Sequence, residues 1–245
     1  MRISIIIPTL NEIENIEALI NHLDEAPGSD NFEIIIVDGG STDGTIAKLQ
    51  GLKNVKLICT SAGRAHQLNM GAQAAGGDWF YFLHADTKPP KDLYEYIIQM
   101  RKSGFNCGCF RLRFDEDHPL LRFCAWCTHI NWNCFRYGDQ SLIVERTLFE
   151  KSSGYDTRKE LLEGNDLVRR LKRLGRFSLL PAEVLTSARK YRKYGPIYLQ
   201  SIYCLLYLAD RCGLPQHRLS GLYGFLLRLA EPHQKPQALP TDILY

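Results

Sequence analysis

The chain has 245 residues, 45% of them hydrophobic and 23% charged, with a net charge of +3 at neutral pH. Such a length supports one large domain or a domain with an extension, and the composition is that of a globular protein rather than a disordered or fibrous one. The charge balance is too even for a nucleic-acid partner, and no run reaches the roughly 18 apolar residues of a membrane span. The opening Met-Arg-Ile-Ser-Ile-Ile-Ile-Pro8 has too short an apolar part for a signal peptide, so a cytoplasmic protein is expected.

In chain order, apolar runs at residues 3–7, 34–37, 55–59 and 79–83 read as buried strands. Helical periodicity fills the intervals at 12–24, 43–52 and 64–75, and Ile13, Ile16, Leu19, Ile20 and Leu23 share one face of the first. This β-α-β-α-β-α-β order predicts an α/β fold, a mainly parallel sheet with helices on both faces. Pro89-Pro90 opens a further helix with Leu93, Tyr96, Ile97 and Met100 inward.

Beyond residue 104 the pattern loosens. Residues 107–114 alternate like a half-exposed strand, 120–134 are aromatic-rich and helical, and 141–144 form a short strand. A basic helix over 162–174 ends at Gly175, and 177–180 is the last strand. Cys107-Gly-Cys109 and Cys124-Ala-Trp-Cys127, with Cys134 nearby, have spacings open to zinc. The surrounding Phe123, Trp126, Trp132 and Phe135 favour ordinary packing instead.

The predicted organisation is a domain over 1–190 and a helical C-terminal extension over 191–245. The extension holds the basic cluster Arg189-Lys-Tyr-Arg-Lys193, an apolar helix over 197–209, and a second helix with Leu219, Leu222, Tyr223, Leu226 and Leu229 on one stripe. Pro232, Pro236 and Pro240 mark a frayed end. These helices are read as a hairpin packed on the domain or on a second subunit (a homodimer), with peripheral contact to the inner face of a membrane as the alternative.

Candidate chemistry gathers at strand ends, where open α/β sheets bind ligands. The first strand runs into Pro8-Thr9-Leu10-Asn11-Glu12, which has neither a glycine-rich dinucleotide turn nor a phosphate-loop lysine. Asp38 closes the second strand and suits hydrogen bonding to a nucleoside base, with Gly39-Gly40 allowing close approach and Ser41 and Asp43 available as helix caps. Arg64 stands in the first turn of a helix, against the dipole, so an anionic ligand or a nearby aspartate is expected beside it. Asp86 ends the fourth strand and is the expected ligand of Mg²⁺ or Mn²⁺ on a diphosphate, with His84 either a second ligand or an orienting group.

The blocks Ser4-Ile-Ile-Ile-Pro-Thr-Leu-Asn-Glu12, Val37-Asp-Gly-Gly-Ser-Thr-Asp-Gly-Thr45 and Phe82-Leu-His-Ala-Asp-Thr87 resemble family 2 glycosyltransferases of the GT-A fold. Within that family the chain is most similar to a bacterial subgroup with His-Ala-Asp at the metal motif and Tyr-Gly-Asp-Gln at 137–140, found near selenium- and arsenosugar-related genes. The resemblance implies metal-dependent, inverting transfer from a nucleotide-sugar, most often a UDP-sugar, to an acceptor that is a sugar, a lipid or a small molecule. It implies nucleotide contacts from Pro8, Thr9, Glu12, Asp38 and Arg64, and a diphosphate contact from Arg189. The family commonly places Glu-Asp at the start of a helix beneath the acceptor. Here Leu162-Glu163-Gly164-Asn165-Asp166 puts glycine in the aspartate's place, leaving Glu163, Asp166 and Asp139 as candidate bases, Glu163 preferred. The competing readings are a nucleotidyltransferase and a non-catalytic sugar-nucleotide-binding protein. Aromatics between Phe105 and Tyr137 are expected to line the acceptor pocket.

Overall fold

A computed structural model describes residues 1–52, 54–136 and 138–230. Among them lie eight strands: β1 (Ile3–Thr9), β2 (Phe32–Asp38), β3 (Val55–Cys59), β4 (Trp79–Phe82), β5 (Thr87–Lys88), β6 (Cys107–Phe114), β7 (Leu142–Glu145) and β8 (Phe177–Thr186). They form one sheet in the order β3-β2-β1-β4-β7-β6-β8-β5. The first four strands are parallel, as their helical crossovers require. From β4 onward the sheet is mixed: β7 runs antiparallel to β4 and β6, β8 is parallel to β6, and β5 is an antiparallel edge. The expectation of a mainly parallel sheet therefore describes its first half.

The helices are α1 (Ile16–Asp24), α2 (Thr45–Gln50), α3 (Arg64–Ala74), α4 (Leu93–Lys102), α5 (Pro119–Cys127), α6 (Arg146–Lys151), α7 (Glu163–Leu174), α8 (Arg189–Tyr194), α9 (Pro196–Arg211) and α10 (Gln216–Leu229). Period-two alternation along β1 divides the core. Ile3, Ile5 and Ile7 join one cluster with α1, α2 and α4, while Ile6 joins the other with α3, α6 and α7. Every residue of β1 is buried, which is why the strand is mostly apolar on both faces, with Ser4 and Thr9 as its buried polar positions. Helix α3 lies so close to the sheet that a Cβ on Gly71 would sit 2.4 Å from Ile6 Cγ2. Asn69 likewise serves packing, since its amide both donates to and accepts from the backbone of Tyr155.

A third cluster joins Leu121 of α5, Tyr191 of α8, Leu199, Ile202 and Leu206 of α9, and Leu219, Tyr223 and Leu227 of α10. The C-terminal helices thus pack on the sheet-bearing part of the chain. The inward stripe of α10 is Leu219–Tyr223–Leu227, and Leu229, expected inward, is exposed. The aromatics around α5 also depart from expectation: Phe123, Trp126 and Trp132 are exposed rather than packed. Helix α5 stops at Cys127, seven residues early, because Thr128 Oγ1 donates to the Ala125 carbonyl while the buried Arg136 guanidinium draws in the carbonyls of Thr128 and Ile130. The predicted prolines at 232, 236 and 240, like Tyr137, lie outside the described residues.

Candidate active site

A cavity of about 180 Å³ opens where the C-terminal ends of β1 and β4 meet β8, α7 and the last two helices. Its floor is ionic. Pro8 enters from the end of β1 and Glu12 from the loop after it, His84 and Asp86 from the loop after β4, Arg64 from α3, Asp139 from the turn before β7, Glu163 from α7, and Arg189 and Lys190 from α8. The same cavity also has an apolar and aromatic lining, from Leu112 and Phe114 of β6, Tyr203 and Leu206 of α9, and Tyr223 of α10. Of the aromatics expected here between Phe105 and Tyr137, Phe114 is the one seen lining the cavity among the described residues. Phe123, Trp126 and Trp132 are exposed instead.

The ionic floor is internally paired. Arg189 grips both Glu12 oxygens, Nη1 to Oε2 at 2.9 Å and Nη2 to Oε1, and lies 3.4 Å from Asp86 Oδ2. Arg64 Nη1 lies 3.4 Å from Glu163 Oε1 across the chain, which accounts for a cation in the first turn of α3. His84 Nδ1 meets Asp139 Oδ1 at 3.1 Å. Burial alone would raise the Asp139 carboxyl, but His84, helped by Arg64 and Lys190, holds it down at about 2. Burial and the neighbouring Arg64 lower the Lys190 ammonium to about 8, against the pull of Asp139 and Asp86. Lys190 is a charged cavity residue that sequence reasoning missed, as it missed Tyr203 and Tyr223. Its signal was the basic run 189–193, which has no helical phase to separate inward from outward lysines.

Glu163 is the first helical residue of α7 and only 6% exposed. The residue before it, Leu162, sits at φ 62°, ψ 23°, a left-handed conformation that a bulky side chain adopts under strain. That turn aims the start of α7 at the cavity. Glu163, Gly164 and Asn165 all line it, and a Cβ on Gly164 would meet nothing closer than Gly138 Cα at 3.8 Å.

Three of the candidate residues do not reach the cavity. Asp166 is turned along its own helix, where Arg169 holds one oxygen at 2.5 Å and Arg170 the other at 2.8 Å. Thr9 is buried in β1, its carbonyl accepting from Gly39 N and Gln67 Nε2. Asp38, beside Thr9 in register, is 0% exposed, and its carboxylate is consumed by its own turn: Gly40 N at 2.8 Å, Ser41 N at 2.7 Å and Ser41 Oγ at 2.5 Å. That turn has another task. Asn11 N donates to Ser41 Oγ, Glu12 N to Thr45 Oγ1 and Ile13 N to Asp43 Oδ2, so the polar block after β2 fixes the loop that carries Glu12. Asp43 is a fastening of this loop and of the start of α2, whose Thr45 N it also accepts.

The metal reading can be set against these groups. Among the described residues, no three His, Cys, Asp or Glu side chains converge as a metal cage. A magnesium-type site needs only one or two carboxylates beside substrate phosphates, and Asp86, a hard oxygen donor on the cavity floor, fits that requirement. His84 fits less well. Its Nδ1 is already engaged by Asp139 at 3.1 Å, which leaves Nε2 as its one ring nitrogen for any other partner.

Residues 4–157 match the family model Glycosyl transferase family 2. A dolichol-phosphate mannosyltransferase of Pyrococcus furiosus is 31% identical over 173 residues, covering 68% of this chain and 49% of that protein. A PGL/p-HBAD biosynthesis glycosyltransferase of Mycobacterium tuberculosis is 35% identical over 142 residues, 49% of this chain and 54% of its own. The chain spans about half the length of these curated relatives. Among solved structures, S. aureus TarS 1-349 in complex with UDP-GlcNAc aligns over 96% of this chain and 74% of its own with a TM-score of 0.64 at 17% identity. The mannosyltransferase PcManGT of Pyrobaculum calidifontis, in complex with GDP-Man and Mn²⁺, aligns over 99% of this chain and 68% of its own with a TM-score of 0.66 at 19% identity. These likenesses show the fold, a GT-A arrangement with a C-terminal helical segment.

Proposed function

Because the chain belongs to glycosyl transferase family 2, we propose that it is an inverting glycosyltransferase that moves a sugar from a nucleoside diphosphate sugar, a UDP-sugar being the first candidate, to an acceptor hydroxyl. The observation that carries this reading is the mixed lining of one cavity, where the basic side chains Arg64, Arg189 and Lys190 and the carboxylates Glu12, Asp86, Asp139 and Glu163 share a space with apolar side chains and the tyrosines Tyr203 and Tyr223. A diphosphate suits the charged groups and an acceptor body the apolar ones. The neighbours solved with UDP-GlcNAc and with GDP-Man and Mn²⁺ support a sugar-nucleotide donor.

In this reading Pro8 and Glu12 border the nucleoside, while Asp38 and Thr9 act indirectly by fixing the loops beside it. Arg64, Lys190 and Arg189 counter the charge that builds on the departing diphosphate. Mg²⁺ or Mn²⁺ would be held by Asp86 and, when bound, would supply Lewis-acid stabilisation of that leaving group. Glu163 accepts the acceptor's proton as the acceptor oxygen bonds to the anomeric carbon from the face opposite the phosphate. The anomeric carbon–oxygen bond breaks at the same time, and its electron pair leaves with the diphosphate. Arg64 Nη1, 3.4 Å from Glu163 Oε1, holds that carboxylate at the edge of the cavity.

A thermal-shift screen of sugar nucleotides with and without Mn²⁺ tests the donor, since a bound ligand raises apparent stability by mass action. Product analysis then separates the classes. Released nucleoside diphosphate is the expected result, released pyrophosphate would indicate a nucleotidyltransferase, and donor binding without transfer or hydrolysis would indicate a binding protein.

A further inference from the structure

The outer side of the C-terminal helices is apolar where water-facing helices are usually polar. Along α9 the exposed residues Ile197, Ser201, Cys204, Leu205, Leu208 and Arg211 recur at helical spacing, while Leu199, Ile202 and Leu206 are buried. Along α10 the corresponding stripe is Arg218, Gly221, Phe225, Arg228 and Leu229. Helix α5 packs against α9 and adds Phe123 and Trp126, stacked at 6.1 Å and about three-fifths exposed, at 59% and 58%. Ile197, Leu208, Phe225 and Leu229 are exposed to the same degree or more. Apolar surface gathered in this way marks a contact site.

Charge identifies the contact. Residues 190–230 contain a single acid, Asp210, and it is turned inward to Lys159 at 2.7 Å. The exposed stripes therefore carry arginine alone, with Arg211 on α9 and Arg218 and Arg228 on α10 standing among the apolar side chains. Arg122, beside Phe123 on α5, is paired with the exposed Asp117 at 3.3 Å, so α5 adds aromatic rather than cationic surface. An isologous dimer through this face would set arginines near arginines. An anionic bilayer surface accepts both components, aromatic and aliphatic side chains at the headgroup boundary and guanidinium groups on phosphates. No described helix is long and apolar enough to cross a membrane, so the contact lies in the plane of the surface.

We infer that α5, α9 and α10 form an interfacial docking face for anionic phospholipid membranes. The inner sides of the same helices line the cavity through Cys124, Tyr203, Leu206 and Tyr223, so docking places the acceptor side of the cavity next to the lipid. The surface is distinct from the residues assigned to sugar transfer, and its test needs no acceptor. The full chain is sedimented with vesicles of phosphatidylglycerol and, separately, of phosphatidylcholine. Binding to the first and little to the second is expected, weakening as salt is added. The double variant Trp126→Ser/Leu208→Ser is expected to lower the partition coefficient by roughly tenfold. Charge reversal by Arg218→Glu/Arg228→Glu, on exposed positions that leave the core untouched, should do likewise while the thermal shift with UDP is preserved. Absence of sedimentation with phosphatidylglycerol would overturn the inference, as would equal binding to both lipids that charge reversal does not alter. A dimer in light scattering that Trp126→Ser/Leu208→Ser dissolves, without vesicle binding, would assign the face to a second copy instead.

Discussion

The two halves of the sheet build the cavity by different means. In β1–β4 the floor residues stand at or just beyond strand ends and are held by a dense backbone and side-chain lattice. Gln67 Nε2 bridges the carbonyls of Thr9 and Val37, and the block from Asp38 to Thr45 clamps the loop of Glu12. From β5 onward the contributions come from turns and helices packed by their apolar faces: Asp139 from a turn, Glu163 from a strained helix start, Lys190 from a short helix, and Tyr203 and Tyr223 from the last two helices. The first half is specified by hydrogen bonds between neighbours, the second by packing between distant segments. Fixed strand ends suit the part of a substrate that many enzymes share, and a packed helical wall can change without disturbing them.

The strongest way to break this comparison is to remove a charge from each half. Asp86→Ala is expected to lower the transfer rate by about a thousandfold while the melting temperature stays near that of the parent chain. Normal transfer in that variant would remove Asp86 from the site. In the second half, Glu163→Gln should lower kcat by about a hundredfold or more with donor affinity retained, as loss of a general base does. Asp166→Asn, one turn along the same helix, should keep its rate and instead lose about 1–2 kcal/mol of stability with its two arginine partners. Chemical denaturation and initial rates on the pair decide between the two acids.

A smaller effect sharpens the contrast through pH. Lys190 is lowered to about 8 from an unfolded value near 10.4. The folded chain therefore holds fewer protons than the unfolded chain between these values, and stability from this group rises with pH across that window. Binding runs the other way. As Lys190 discharges above pH of about 8, affinity for UDP should fall by up to about tenfold, with proton uptake on binding, and Lys190→Gln should flatten the profile. Titration calorimetry in buffers of different ionisation enthalpy reads both. The smallest expected change is Gly164→Ala. The methyl group has ordinary contact distances to Gly138, so the helix should gain about 0.5–1 kcal/mol while transfer is retained.

Much of the first half was legible because its signals are local. The runs at 3–7, 34–37 and 55–59 mark β1 to β3, with β3 met at both ends. The direction of Asp38 was not legible, since a strand-end carboxylate can serve a ligand or its own turn, and only the positions of Gly40 N and Ser41 N decide. The second half hid more. β5 is two residues long, and its pairing with Thr186 cannot be seen from Thr87-Lys88 alone. β8 continues through Pro181 to Thr186, past the expected stop at 180, because the pairing with β6 shifts register there instead of ending. The aromatics near α5 satisfy a packing pattern yet stand in solvent, because periodicity shows that side chains share a face and not what the face meets.

The clasp of Arg189 on Glu12 and Asp86 bears on which anions the resting protein ignores. A free phosphate or sulfate that drew the guanidinium away would strand two carboxylates on a half-buried floor and offer them nothing in exchange. A ligand that arrives with its own divalent counterion, and with hydroxyl groups to satisfy Glu12, meets no such obstacle. The clasp thus favours a ligand that brings its own countercharge over a bare small anion.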